Sequence, residues 1–265
     1  MELKKVAIVI PFYKEGLSIY EEISLQQCKK VLKSHIKIAI KPEGLSLPVH
    51  EDFAEIISFN DDYFKNIASY NRLMLSAEFY KRFLNYEYIL IYQLDAFVFK
   101  DELIYWCKKG FDYIGAPWIK QTYHRNKLVR PFYKLWHLAN YWLEPQKVKT
   151  SNEYKKRNKI GNGGLSLRKV DKFYNLCLSM KTTIDFYLTK DHHQYNEDVF
   201  WGIEVNRDRA NLKIPTQSIG FKFAFEIPPY YLRKFDEQNL PFGCHDWDAH
   251  LNYWRPIFKA YEYNI

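Results

Sequence analysis

The chain opens with a short apolar run that does not alternate. "KKVAIVIPFY" reads as a buried strand halted by Pro11, and "IYEEISLQQCKKVL" behind it carries the mixed faces of an amphipathic helix. "HIKIAIKPEG" is a second strand running into a Pro/Gly turn, and "AEIISF" a short third. From Tyr70 to Phe83 the residues Leu73, Ala77, Tyr80 and then Leu84 recur at three- and four-residue steps, the stripe of a helix lying on a sheet. Tyr88 to Tyr92 is continuously apolar, as a parallel strand covered on both faces must be. Strands and helices in this order predict an α/β fold, a Rossmann-type mixed sheet flanked by helices. Ligands of such sheets bind beyond the carboxyl ends of strands, where Tyr13 and Asp95 fall.

Beyond "FDYIGAPW" the periodicity fades. Residues 120–160 are basic and aromatic without a clear strand and read as an insertion or flexible loop over the cleft. Order returns with "IGNGGLSLRKVDKF", a glycine turn, a short strand and a helix start, and a further helix is expected from about Asn196. The last third mixes short strands with an aromatic tail, with no internal repeat and no second-domain linker. One domain is expected: a nucleotide-binding half over 1–118, the insertion, and an acceptor-side half with a C-terminal tail over 161–265.

At 265 residues, 47% hydrophobic and 18% aromatic, the chain can bury a substantial core and is far too apolar for disorder. A net charge of +8 favours anionic partners. The basic residues are scattered, with no arginine-rich tract or zinc-finger spacing, so nucleic acid is not an expected partner. Cys28, Cys107, Cys177 and Cys244 show no CxxC spacing and point to a reduced compartment. The run before Pro11 is too short for a signal-peptide core or a bilayer span. The expected location is cytoplasmic, with peripheral association at the inner face of the membrane left open.

Four segments could carry chemistry. In "YQLDAF" the strand-end carboxylate Asp95 is placed either to hold a divalent cation against a diphosphate or to cap the helix starting near Asp101. "YNEDVFWG" sets Glu197 and Asp198 at a helix start, where the dipole favours acid and where one carboxylate could also take a proton from a hydroxyl. "GNGGLSLR" permits close backbone approach or positive φ but lacks the P-loop lysine and the GxGxxG order. "PFGCHDWDAH" gathers His245, Asp246, Asp248 and His250 at a density suited to a metal or to a surface loop. "KDHHQY" reads as a solvated loop.

Taken in order, "VAIVIPFYKE", "YNRLMLS", "YILIYQLDAFVF", "DYIGAPW", "GNGGLSLR", "NEDVFWG" and "PFGCHDW" resemble the GT-A class of nucleotide-sugar-dependent glycosyltransferases, and within it a bacterial family of unassigned substrate. "QLD" stands where the class has its DXD motif, with Gln93 replacing the first acid. The resemblance implies that Pro11, Phe12 and Tyr13 flank the nucleobase, that Asn71 and Arg72 approach base, ribose or phosphate, and that Gln93, Leu94 and Asp95 contact the nucleotide. It implies Asp95 and His245 as ligands of Mn2+ or Mg2+, and Asp198 as general base with Glu197 as its alternate. Gly163 and Gly164 fall on the acceptor side, and Trp118, Trp136 and Trp201 are expected to stack on sugar rings.

The expected activity is transfer of a sugar from a nucleotide donor, a UDP-sugar, to a saccharide or lipid-linked acceptor in surface polysaccharide or glycoconjugate synthesis. The reaction would be metal-assisted and inverting. Two alternatives remain: a nucleotide- or glycan-binding module without catalysis, and a sugar-nucleotide pyrophosphorylase. The second would need a glycine- and lysine-rich loop after the first strand, which "PFYKEGLS" does not supply.

Overall fold

The structure, a computed structural model, describes residues 6–47, 53–118, 155–156, 159–228 and 240–265. Its first strand, β1 (Val6–Pro11), is buried along its whole length. Helix α1 (Ile19–Val31) follows, started by a capping box in which Ser18 accepts from the Glu21 amide while Glu21 reaches back to the Ser18 N–H. It returns the chain to β2 (Ile36–Pro42), parallel to β1 with Ala7 opposite Ile36. β3 (Glu55–Phe59) adds on the outside, again parallel.

The expected helix over Tyr70 to Phe83 is two helices. α2 (Ile67–Met74) is capped by Asn66, and α3 (Ala77–Lys81) begins again after Ser76, whose extended backbone breaks the ladder and whose hydroxyl accepts from the Phe79 N–H at 3.1 Å. The break leaves Leu73 and Tyr80 on the core while Leu84 turns out to solvent. A serine does not interrupt an apolar stripe, so the pattern alone ran through it.

β4 (Tyr88–Tyr92) lies beside β1 with Val6 opposite Tyr88, and all five of its residues are buried. Next come β5 (Phe97–Val98), α4 (Leu103–Lys108) and β6 (Tyr113–Ile114). β7 (Leu165–Lys169) runs antiparallel to both β4 and β6, which makes a six-stranded mixed sheet in the order β3-β2-β1-β4-β7-β6. Helices α5 (Val170–Ser179) and α6 (Lys181–Leu188) lead on to α7 (Glu197–Gly202). Alternate residues of β1 feed opposite layers: Ala7 and Val9 pack with α2, α3, α5 and α7, and Ile8 and Ile10 with α1 and α4.

A second, small sheet sits at the carboxyl end of the first. Helix α8 (Gln217–Phe223) runs into β8 (Ala224–Phe225), and β9 (Gly243–Cys244) pairs with β8 on one side and β5 on the other. The closing helix α9 (Leu251–Ala260) covers it, with Phe258 stacked on Phe97 at a centroid distance of 4.0 Å. The aromatic richness is therefore largely interior: Trp106, Trp201, Trp247 and Trp254 are all fully buried. All four cysteines are buried and free. No helix among the described residues is long and apolar enough to cross a membrane.

Candidate active site

A cleft of about 830 Å³ opens beyond the carboxyl ends of β1 and β4, walled on one side by the Asn66 cap of α2 and on the other by the glycine turn before β7. Pro11, Tyr13, Asn71, Gln93, Leu94 and Asp95 line it, as do Gly163, Gly164, Glu197, Asp198 and His245. Residues from across the chain thus converge because β1, β4, β8 and β9 all end at one place. The Tyr13 hydroxyl donates to Glu21 at 3.0 Å, and Lys14 pairs with the same carboxylate at 2.7 Å. Despite the basic chain the lining is acidic: Glu21, Asp95, Glu197, Asp198, Glu226 and Asp248 face Lys14, Lys65 and His245. Lys65 is itself tied to Asp62. A bare diphosphate would meet little free positive charge among these described residues.

The small sheet supplies the answer to Asp95. β5 and β9 run antiparallel with Phe97 opposite Cys244, which brings the residue two before Phe97 to the residue after Cys244. Asp95 Oδ1 lies 3.1 Å from His245 Nε2, and Gln93 Oε1 lies 3.3 Å from the same nitrogen. The ring N–H is aligned on Gln93, so Asp95 Oδ1 is left enclosed with no hydrogen-bond partner among the described residues. Burial acts to raise the Asp95 pKa, but the imidazole beside it prevails and holds the carboxylate below its ordinary range. Asp95 is thus neither a helix cap nor a loop anchor.

These groups fit a hard divalent cation. Two ligands bound at right angles at about 2.1 Å stand about 3.0 Å apart, close to the Asp95 to His245 spacing. The Gln93 oxygen offers a third, neutral ligand, and the rest of a six-fold shell is open to phosphate and water. Among the described residues no group of three or more His, Cys, Asp or Glu side chains could hold a metal. Asp246, Asp248 and His250 do not assemble with His245 into the denser cluster that "PFGCHDWDAH" allows: Asp246 takes a left-handed backbone with φ 53, and His250 borders a separate pocket with Arg255.

The other face of His245 is held by Asn162. Asn162 Oδ1 accepts from the Leu165 N–H at 2.9 Å, which turns its amide nitrogen toward His245 Nδ1 at 3.1 Å and leaves the ring proton on Nε2. Asp95 and the acids around it favour a second proton on the ring, whereas burial and the amide donor on Nδ1 oppose one. Gly163 and Gly164 are required for close approach, since neither has positive φ. A Cβ on Gly163 would strike Glu197 Oε1, and one on Gly164 would strike His245 Nε2 and stand 2.7 Å from Gln93 Oε1.

Glu197 and Asp198 part company. Glu197 is 3% exposed, and its Oε1 accepts from Arg168 at 2.9 Å. Arg168, wholly buried on β7, also donates to Tyr80 at 2.8 Å and to Ser166 at 3.0 Å. Glu197 is therefore half of an interior ion pair. Asp198 has no such partner among the described residues; its Oδ1 accepts from the next amide, Val199, at 2.8 Å, and burial raises its pKa.

Sequence reasoning missed Glu226 and Tyr70. Glu226 follows β8 beside His245, lines the cleft and is lifted by burial to about 7. Its signal was present: "FAFEI" ends an apolar stretch in a lone acid, as "YILIYQLD" does. Tyr70 also lines the cleft, with its hydroxyl enclosed and unpartnered among the described residues.

Other expected contacts fall elsewhere. Phe12 is buried against Phe53, edge to face at 5.6 Å, because it turns under the strand end. Arg72 points away and donates to the Asp62 carbonyl at 3.2 Å. Trp201 is fully buried among Tyr80, Phe173 and Phe200, so it has no face for a sugar. Trp118 lies against Gly161 and Gly202, outside the cleft lining. Trp136 and most of the expected insertion lie outside the described residues. His192 and His193 are exposed, as a solvated loop requires.

Residues 53–245 match a family described as a protein of unknown function, DUF5672. No curated protein matches the chain. Among solved structures, the galactosyltransferase LgtC in complex with donor and acceptor sugar analogues aligns over 90% of this chain and 86% of its own, at TM-score 0.51 and 14% identity. An active-site mutant of LgtC aligns over the same shares at TM-score 0.51 and 16% identity. Mouse xyloside xylosyltransferase 1, in its apo form, aligns over 91% of this chain and 97% of its own, at TM-score 0.50 and 9% identity. At these identities the likeness is one of fold, the GT-A fold of glycosyltransferases, as the ordered motifs implied.

Proposed function

The chain belongs to the DUF5672 family, whose description assigns no activity, and we propose that it is a glycosyltransferase that takes a sugar from a UDP-sugar with the help of Mn2+ or Mg2+. The observation that carries the reading is the pairing of Asp95 Oδ1 with His245 Nε2 at 3.1 Å in an otherwise acidic cleft. A diphosphate is admitted to such a lining when its charge is bridged, and Asp95, His245 and the Gln93 oxygen are the groups that would hold the bridging ion. Bound there, a divalent cation supplies positive charge to a departing diphosphate.

The chain's own residues do the rest. Pro11, Tyr13 and Leu94 flank the nucleotide at the strand ends. Asp198 accepts the proton of the acceptor hydroxyl while that oxygen bonds to the anomeric carbon, and the electron pair of the breaking C–O bond leaves with the diphosphate. A single displacement of this kind inverts the anomeric centre. The acceptor is a saccharide or a lipid-linked glycan.

A thermal-shift series with UDP and UDP-sugars, with and without Mn2+, tests the reading, because a ligand bound only to the folded state raises its melting temperature. Stabilisation that needs nucleotide and cation together, with transfer or slow hydrolysis of the donor, is the expected result. Equal UDP binding with and without Mn2+ sinks the cation assignment. Binding without turnover on any acceptor would leave a nucleotide- or glycan-binding module, the reading that the loss of acid at Gln93 favours.

A further inference from the structure

Seven side-chain polar atoms among the described residues are enclosed without a hydrogen-bond partner, and four of them are oxygens. Three of those four, Asp95 Oδ1, Glu197 Oε2 and the Tyr70 hydroxyl, belong to residues lining the same cleft. Folded proteins seldom leave buried polar atoms unmatched, since each costs stability. Asp95 Oδ1 is accounted for by the cation. The other two have no use in the chemistry derived above.

Their arrangement defines what could satisfy them. Glu197 cannot turn: Arg168 holds Oε1 at 2.9 Å, and the Gly163 backbone closes on the same atom, so Oε2 is a fixed acceptor. Tyr70 lines the same cleft, close enough to the Gln93 side chain, Arg168, Glu197 and Asp95 to feel all four. Its hydroxyl can donate or accept. Together they ask for a ligand carrying at least one O–H donor toward Glu197 and a hydroxyl toward Tyr70. Within the proposed activity, on which this step rests, that ligand is the transferred sugar.

We infer that Tyr70 and Glu197 read hydroxyl groups of the transferred sugar, and that the donor is therefore an uncharged hexose rather than a uronic acid. A sugar carboxylate would bring an acceptor-only, negative group against a fixed carboxylate oxygen that can itself only accept, in a cleft lined by further acids. Glu197 is on this view a binding residue, which leaves the proton of the acceptor to Asp198.

The experiment is calorimetric titration of the full chain with UDP, UDP-glucose, UDP-galactose and UDP-glucuronate in Mn2+, for the wild type and Tyr70→Phe. In the wild type at least one neutral UDP-hexose is expected to bind more tightly than UDP-glucuronate, by about tenfold. Tyr70→Phe removes an unpartnered hydroxyl, so the unliganded variant should melt no lower than the wild type. It should keep its affinity for UDP while losing several-fold in affinity for the hexose donor. Glu197→Gln should lose more on the hexose than on UDP, but because it strips Arg168 of its counter-charge it is the supporting variant only. UDP-glucuronate binding as tightly as both neutral donors, or an unchanged hexose-to-UDP affinity ratio in Tyr70→Phe, overturns the inference. Failure of the wild type to bind UDP or any of the three donors would instead bring down the proposed activity, and this inference with it.

Discussion

Arg168 and Glu197, 29 residues apart in sequence, meet at 2.9 Å in the interior, where the guanidinium is wholly buried. Two opposite charges there hold the glycine turn and the start of α7 in register. Removing one partner strands the other, which typically costs about 3–5 kcal/mol. Arg168→Met is therefore expected to lower unfolding free energy by about that amount in denaturant titrations. The double substitution Arg168→Met/Glu197→Leu should recover part of the loss, since it buries no lone charge.

Asp95→Ala removes the carboxylate that fronts His245. UDP affinity in Mn2+ should fall to the value measured in EDTA, while affinity without metal stays where it was. Titration calorimetry in both buffers reads the difference.

Asn162 now donates to His245 Nδ1, which suits a ring protonated on Nε2. A cation on Nε2 needs that proton on Nδ1 instead, facing an acceptor. Asn162→Asp supplies one and can still take the Leu165 N–H, so Mn2+ affinity should tighten by about tenfold, as carboxylate partners of metal-bound histidines do. Weaker Mn2+ binding in the variant would argue that His245 is not a ligand.

Burial raises the Asp198 pKa above its ordinary 3.8. A base works only when ionised, so the turnover rate should fall as pH drops through that raised value, at a higher pH than for an exposed aspartate. Asp198→Asn should bind donor but not transfer it. Because the folded pKa lies above the unfolded one, ionised Asp198 weakens the fold at neutral pH, and Asp198→Asn should be at least as stable as the wild type there. That advantage should vanish below the unfolded pKa.

Much of the frame could be read from the pattern of residues. β1 and β4 announce themselves because strands covered on both faces leave no polar position, and Asp95 stands out at the end of one. β5, β8 and β9 have two residues each, too few for any periodicity, so the sheet that joins Asp95 to His245 was invisible even where both residues were singled out. Trp201 was misread for a related reason: an aromatic beside a motif looks functional until the helix phase turns it inward. Asn162 lay unnoticed in a glycine turn, because its value is the orientation it gives to a ring 83 residues away.

That small sheet also sets an order of events. Gln93 and His245 are separated by 152 residues, so the corner proposed to hold the ion closes through a loop of more than half the chain. Distant pairings of this kind come late in folding. On the ribosome, β1 to β4 would be exposed and able to assemble well before β9 emerges. On the proposed function, a nascent or truncated chain lacking β9 would keep the strand ends that flank the nucleotide yet lack His245 to hold the ion, so competence for the donor would arrive only once the segment from β9 onward is in place.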